Sequence, residues 1–259
     1  MIEDLPGGVL LVLAVLCGAA VGSFLNVCIY RLPRSKSVVV PPSACPQCGR
    51  GLAWYENLPI VSWLALGGQC RTCRAPISAQ YPIVEALTAT MFGVAWWYYG
   101  PGAMLVSRLV FGCALIALFA IDLEHHLLPN AITLPGILAG FALSFFTEPG
   151  WVSSLIGILV GGGVLLAIAE IYYRLRHEEG LGMGDVKMLA MVGAFVGWQL
   201  TFLTLMMASL AGSIIGVALI ATRRGNMKYA LPFGTFLALG AAVAATAGPA
   251  ILHWYLERL

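Results

Sequence analysis

Charged residues are scarce in this sequence. They make up 10% of its 259 residues, whereas hydrophobic residues make up 60%. Soluble globular domains carry about 25% charged residues. The composition therefore excludes a soluble domain of this length and predicts an all-α polytopic membrane protein.

Basic residues are absent ahead of the first apolar run, residues 9–30. Glu3 and Asp4 precede this run, and Arg31 and Arg34 follow it. A secretory signal peptide has the reverse charge order and ends in a small-residue cleavage site. The pattern therefore predicts that residues 1–30 form a retained membrane helix with its N-terminus outside.

One long polar segment, residues 31–80, contains Glu56 as its single acidic residue. Its basic residues are Arg31, Arg34, Lys36, Arg50, Arg71 and Arg74. An excess of basic residues is typical of cytoplasmic loops, so this segment is predicted to be one. Further apolar runs follow at residues 82–99, 104–121, 131–147, 152–173, 186–198, 201–222 and 233–254, and most approach the about 20 residues that a spanning helix needs. We therefore expect eight membrane spans, seven of them in a core of residues 81–259, and no separate soluble domain.

Threading these spans from an outside N-terminus brings two aspartates to the same depth. Asp122 falls at the inner end of the third span and Asp185 at the inner start of the sixth. Most other basic residues then lie on the cytoplasmic side, namely Arg174, Arg176, Lys187, Arg223, Arg224 and Lys228. An ionisable residue at that depth is a functional candidate, because burying it without a partner is expensive.

Each aspartate also has a structural explanation. Asp122 is followed by Glu124, so it could be an interfacial acid that reaches the headgroups. Asp185 could cap the N-terminus of the helix that follows it. A cap needs only one acceptor, however, and here Gly182 and Gly184 also remove side chains beside the carboxylate, as the approach of a substrate backbone would require.

Two carboxylates that meet at a partly dry site can share one proton and hydrolyse a peptide bond without a metal. One acts as base toward a water and the other as acid toward the carbonyl oxygen. Asp122 lies toward the C-terminal end of its helix and Asp185 at an N-terminal end, so the helix dipoles predict that Asp122 carries the shared proton. The alternative is a proton-coupled transporter in which both aspartates relay protons. The location of both at one face argues against transport.

The polar segment also contains two Cys-x-x-Cys pairs, Cys45 with Cys48 and Cys70 with Cys73. This spacing predicts a four-thiolate zinc site. Disulfides are the alternative, and a reducing cytoplasm argues against them. Four protein ligands leave no open position on the metal, so the predicted zinc is structural.

These features belong to a longer series of motifs in fixed order. The series comprises Gly22-Ser23-Phe24-Leu25-Asn26-Val27, Tyr30-Arg31-Leu32-Pro33, both cysteine pairs, Trp54-Tyr55-Glu56-Asn57, Ser62-Trp63, Pro76-Ile77-Ser78, Tyr81-Pro82, Glu85, Ala120-Ile121-Asp122, Leu128-Pro129, Glu179-Gly180, Gly182-Met183-Gly184-Asp185-Val186-Lys187 and Pro232-Phe233-Gly234. In these motifs the sequence resembles the type IV prepilin peptidases, the bifunctional leader peptidases of type IV pilus and type II secretion systems. They are membrane aspartic proteases of the Gly-x-Gly-Asp class.

The resemblance implies that Asp122 and Asp185 are the catalytic aspartates. It implies prepilins and pseudopilins as substrates, cut on the cytoplasmic side of the bacterial inner membrane. It also implies methylation of the new N-terminal amine with S-adenosyl-L-methionine as donor, an activity associated in the family with the cysteine-bearing loop. The expected partners are these substrates and membrane lipid, and no nucleic acid.

Overall fold

A computed structural model describes residues 7–177, 182–222 and 231–258. Its helices are α1 Gly7–Arg31, α2 Val61–Ala65, α3 Gln80–Tyr99, α4 Ala103–His125, α5 Asn130–Leu143, α6 Trp151–Arg176, α7 Met183–Ala221 and α8 Phe233–Leu256. Several residues used in the sequence predictions lie outside the described ranges: Glu3, Asp4, Glu179, Gly180, Arg223, Arg224 and Lys228.

Five helices in the described ranges are long and apolar enough to cross a membrane. They are Gly7–Arg34, Ala103–His125, Trp151–Arg176, Met183–Ala221 and Phe233–Leu256. The chain is therefore a multi-pass helical membrane protein, in agreement with the prediction from composition.

The predicted count of eight spans is not confirmed. Helix α5 has only 14 residues. The 20-residue α3 is not among the five, because Glu85 and its terminal Trp and Tyr residues lower its hydropathy. The two predicted runs at 186–198 and 201–222 correspond to two helical parts of α7, which meet at Gly197, where φ 77° and ψ 172° are not helical.

The chain divides into two compact units, residues 1–109 (unit 1) and residues 110–259 (unit 2). In unit 1, α1 packs closely against α3. A Cβ added at Gly22 would lie 2.8 Å from Cα of Glu85, so this approach requires glycine. Asn26 strengthens the contact, because its Nδ2 donates to the backbone oxygen of Tyr81 over 3.0 Å.

In unit 2, α7 is the central helix and packs against α5, α6 and α8. Its first half supplies much of the core, and Met188, Leu189, Met191 and Val192 are each 0% exposed. The backbones of α6 and α7 come into contact where Gly157 meets Gly193. Such close approach through small residues is how membrane helices gain packing energy without a hydrophobic driving force. It gives the start of α7, which carries Asp185, a rigid support.

Candidate active site and cysteine cluster

Asp122 lies near the end of α4 on the face that points into unit 2. Its neighbours on that face, Leu118 and Ile121, are each 0% exposed, and Asp122 itself is only 4% exposed. An acid that reached for the headgroups would leave the protein interior. The burial therefore argues against the interfacial explanation for Asp122.

Thr235 is the partner of Asp122. Its backbone N–H donates to Oδ2 of Asp122 over 2.7 Å, and its hydroxyl donates to the same oxygen over 3.0 Å. Thr235 is the third residue of α8, where backbone N–H groups have no partner inside the helix. These donors and the positive end of the α8 dipole both stabilise a negative charge on Oδ2.

Gly234 permits this contact. A Cβ there would lie 3.0 Å from Cγ of Asp122 and 2.9 Å from Cδ1 of Leu128. Leu128 also packs against the other aspartate's segment, since a Cβ at Gly184 would lie 2.9 Å from the Leu128 Cβ. Leu128 thus joins the start of α7 to the start of α8, and both glycines are required for that packing.

Asp185 lies in the first turn of α7 and is half-buried. The N-cap of α7 is Gly182, and no side chain caps it. The capping explanation for Asp185 therefore has no support in the geometry. Gly184, the residue before Asp185, and Gly234, which lies against the Asp122 carboxyl, both face Leu128, so the two aspartates lie near the same leucine side chain.

The two predicted glycines differ in what surrounds them. Gly184 faces Leu128, so its lack of a side chain serves packing. Gly182 is exposed, and a Cβ there would lie 3.4 Å from Oδ2 of Asp185, at ordinary van der Waals distance. Only Gly182 therefore matches the predicted role of leaving an open approach to the carboxylate.

Sequence analysis missed Thr235 altogether, although it named the motif that precedes it. Pro232 before an apolar run does signal a helix start, and a threonine three residues later is a donor near that start. The sequence contains no sign that Asp122, 113 positions away, is the acceptor.

The four predicted cysteine ligands come together in unit 1. The sulfurs of Cys45, Cys48, Cys70 and Cys73 all lie within 4.8 Å of one another. A tetrahedral zinc site with Zn–S bonds of about 2.3 Å holds its sulfurs about 3.8 Å apart. The Cys45 and Cys73 sulfurs are separated by 3.8 Å, so the cluster fits such a metal.

Two similar turns build the cluster. In each, the first cysteine forms a backbone pair with the residue five positions later: Cys45 N–H donates to Arg50 and Cys70 N–H to Ala75. The fourth residue after each first cysteine has a positive φ, 70° at Gly49 and 59° at Arg74. Glycine adopts this conformation freely, which explains Gly49, whereas Arg74 adopts it without that freedom.

The turns also favour thiolates. Backbone N–H groups of Cys48 and Gln47 lower the pKa of the Cys45 thiol below its ordinary value. Those of Cys73 and Thr72 lower the pKa of Cys70 to about 6. Because a thiolate, and not a thiol, binds zinc, these donors prepare Cys45 and Cys70 for a metal. The pKa of Cys73 is instead raised to about 11: the Ala75 N–H lowers it, but burial and hydrogen bonds with the other three cysteine sulfurs outweigh that effect.

Glu56 connects the turn that begins at Cys45 to the residues that follow it through hydrogen bonds. Its carboxylate accepts from Arg50 over 2.6 and 2.8 Å and from the Ala53 N–H over 2.8 Å. These donors lower the pKa of Glu56, with the Ala53 N–H as the largest cause. The Glu56 side chain is 2% exposed, so the ion pair belongs to the packed part of the loop.

Comparison with known proteins identifies the family. The model of the bacterial peptidase A24 N-terminal domain matches residues 16–99, and that of the type IV leader peptidase family matches residues 109–217. The chain belongs to the type IV leader peptidase family.

Several similar curated proteins are named prepilin leader peptidase/N-methyltransferase. The one from Pseudomonas aeruginosa is 36% identical over 94% of this chain and 92% of its own length. The one from Aeromonas hydrophila is 38% identical over 91% of this chain and 90% of its own. The one from Myxococcus xanthus is 42% identical over 82% of this chain and 64% of its own. No solved structure matches the chain significantly.

Proposed function

We propose that the protein is a membrane aspartic endopeptidase that removes the leader peptide of type IV prepilins and pseudopilins and then methylates the new N-terminal residue, with S-adenosyl-L-methionine as the methyl donor. Asp122 and Asp185 are its catalytic residues. The observation that carries the peptidase assignment is the buried Asp122, held by Thr235 and placed, like the segment of Asp185, against Leu128. The names of the relatives support both activities.

In the proposed mechanism Asp122 is the ionised member of the pair, because both Thr235 donors stabilise charge on its Oδ2. Asp185 then carries the shared proton. This reverses the sequence hypothesis, which considered the dipoles of α4 and α7 and had no knowledge of α8 beside Asp122.

The reaction then follows from these protonation states. Asp122 takes a proton from a water as the water oxygen attacks the scissile carbonyl carbon, and Asp185 gives its proton to the carbonyl oxygen. Collapse of the tetrahedral intermediate breaks the C–N bond: the proton held by Asp122 passes to the leaving nitrogen, and one hydroxyl of the intermediate returns its proton to Asp185 as the carbonyl forms again. The exposed Gly182 leaves room for the substrate backbone beside Asp185.

The membrane arrangement in this proposal is the one predicted from charge: eight crossings with an outside N-terminus, and residues 31–80 on the cytoplasmic face of the bacterial inner membrane. Both aspartates then open to that face. A prepilin's apolar segment enters from the lipid, and no nucleic acid is involved. The core of residues 81–259 carries cleavage.

The cysteine cluster has a structural role in the proposal. Four thiolates close the coordination of a zinc ion, so the metal would brace the loop and bind no substrate. The donor set and the S···S spacing support this assignment. Proton transport, the alternative considered from sequence, gains no support from relatives named as peptidases and methyltransferases.

The test is cleavage of a leader-bearing prepilin by the purified protein in detergent, followed by mass spectrometry. We expect Asp122→Asn and Asp185→Asn each to lower kcat by about 1,000-fold or more while the protein stays folded. Glu124→Gln is the matched control, because Glu124 is an exposed acid in the same helix turn as Asp122. Full cleavage by both aspartate variants would exclude the pair as the catalyst.

A further inference from the structure

Unit 1 contains a buried carboxylate that the cleavage reaction does not use. Glu85, in α3, is 7% exposed. It accepts a hydrogen bond from the backbone N–H of Ile60 over 2.7 Å and is also bonded to the Ser23 side chain. No cation is among these partners. A carboxylate held this way in an apolar helix pair is a candidate for binding a positively charged group.

The backbone that Glu85 holds is strained. Ile60 has φ 61° and ψ −50°, and the N–H of Val61 bonds to the oxygen of Pro59, which makes a three-residue turn. A β-branched residue rarely adopts positive φ, and this turn type is uncommon. Such strain persists only where surrounding contacts enforce it, and it concentrates at functional sites.

An apolar groove of about 540 Å³ runs along unit 1 and reaches this turn. Its lining includes Leu11 and Val15 of α1, Ala86, Gly93 and Trp97 of α3, and Ile60. From Ala86 to Trp97 the groove follows α3 for a length equal to about 11 residues of helix. One end is therefore purely apolar, while the other ends at the residue whose N–H is bonded to Glu85.

The groove and Glu85 together match one chemical class of ligand: an apolar helix with a free ammonium group at its N-terminus. Leader cleavage creates such a segment. With the proposed topology, the Ile60 end of the groove is cytoplasmic, so a bound product helix would have its amine at Glu85 and would run outward along α3. A phospholipid with an ethanolamine headgroup also carries an ammonium, but its phosphate would lie beside the Glu85 carboxylate, and this like-charge repulsion favours the cleaved substrate.

We propose that Glu85 binds the newly exposed N-terminal ammonium of the cleaved pilin and accepts its proton before methylation. This inference rests on the proposed function and assigns a residue to its second activity. The N–H bond breaks with its electron pair left on nitrogen, and the proton moves to Glu85. The nitrogen lone pair then forms a bond to the methyl carbon of the sulfonium donor, and the broken C–S bond leaves its electron pair on sulfur.

Glu85→Gln is the decisive variant, because glutamine keeps an oxygen acceptor for the Ile60 N–H and loses only the charge. A peptide with the sequence of the mature pilin N-terminus is offered with a free amine or with an acetylated one, and its affinity for the detergent-solubilised protein is measured. We expect the free-amine peptide to bind about ten-fold more weakly to Glu85→Gln, and the acetylated peptide to bind both proteins equally.

The same variant separates the two activities. Methylation of the pre-cleaved peptide should fall about 100-fold or more, with cleavage of full prepilin unchanged within two-fold. Glu170→Gln is the control, since Glu170 is an exposed acid in α6 paired with Arg174. Unchanged methylation and peptide affinity in Glu85→Gln would overturn the inference and leave Glu85 only its bond to Ile60. Failure of the peptidase proposal would instead be seen as cleavage that survives both aspartate variants.

A second variant tests the groove and does not alter Glu85. Thr90 is an exposed lining residue of α3, so Thr90→Trp would fill the groove from its open side. We expect affinity for the free-amine peptide to fall about ten-fold, with the thermal stability unchanged. Unchanged affinity would show that the groove holds lipid only and would overturn the docking of the product helix there.

Discussion

The two units build their polar sites in different ways. In unit 1 the cysteine ligands lie within 28 positions of each other, and hydrogen bonds inside each short turn shape the cluster. In unit 2 the contact that defines the site, from Thr235 to Asp122, joins residues 113 positions apart. A local site can be recognised from spacing, whereas a long-range one depends on how α4, α7 and α8 pack. The comparison also predicts that the two sites can be damaged separately.

Loss of the cysteine cluster should separate methylation from cleavage most clearly. We expect the double variant Cys45→Ser with Cys70→Ser to lose its bound zinc and, with the loop unbraced, to lose methylation to background. Cleavage should stay within a few-fold of wild type, because both aspartates lie in unit 2. Zinc is measured by elemental analysis and both activities by mass spectrometry. Cys17→Ser, in α1, serves as control, and an equal loss of cleavage would contradict the separation.

Gly234→Ala should have the opposite effect, with cleavage impaired and methylation retained. Its Cβ would meet the Asp122 carboxyl at 3.0 Å and Leu128 at 2.9 Å, so the carboxyl must shift. Misplacement of a catalytic group by even 1 Å costs about 100-fold in rate, and we expect that loss in kcat for cleavage. Methylation of a pre-cleaved peptide should be unaffected. The control is Gly163→Ala in α6, where an added Cβ meets nothing within 4 Å; equal effects of the two variants would show that the close contact is not the cause.

Thr235→Val should have a smaller effect, because it removes only the hydroxyl donor and keeps the N–H bond. A hydrogen bond to a charged group contributes about 1.5–3 kcal/mol, so we expect kcat for cleavage to fall about ten-fold with KM unchanged. Thr235→Ser should recover most of the activity. Thr246→Val is matched in the same helix, since the Thr246 hydroxyl bonds only to carbonyls of α8. A rise in KM without loss of kcat would argue against positioning of Asp122.

The smallest effect should be a loss of thermal stability in Glu56→Gln, and this loss should depend on pH. The pKa of Glu56 is lowered from 4.5 in the folded protein, so the ionised carboxylate stabilises the fold above pH 4.5 and this contribution is lost as the pH falls through the lower folded value. Thermal unfolding of both proteins between about pH 3 and pH 7 measures the difference in melting temperature. We expect Glu56→Gln to have a lower melting temperature than the wild type at pH 7, and this difference should become smaller below about pH 4.5. A gap that widens in acid would contradict the assignment of the ion pair.

Asp122, Asp185 and the cysteines are candidates from sequence because each departs from its surroundings: two carboxylates beside long apolar runs, and four thiols at a metal spacing. Eight apolar runs suggested eight separate spans, and that count is not confirmed: α5 has only 14 residues, whereas the runs at 186–198 and 201–222 correspond to two helical parts of α7 that meet at the non-helical Gly197. The hydropathy along a sequence gives the length and the apolar character of each run, and neither quantity indicates where a glycine bends the backbone.

By itself, the sequence determined the membrane class of the protein and its helical architecture, and it predicted the cysteine cluster and the two candidate aspartates. These follow from composition and from residues near one another in the chain. Only the tertiary structure decided that Thr235 donates hydrogen bonds to Asp122. It also decided that Leu128 packs against both Gly184 and Gly234, and that Glu85 accepts a hydrogen bond from the strained turn at Ile60. Such partners are selected by helix packing, because a donor many positions away reaches its acceptor only when the backbones between them are in place.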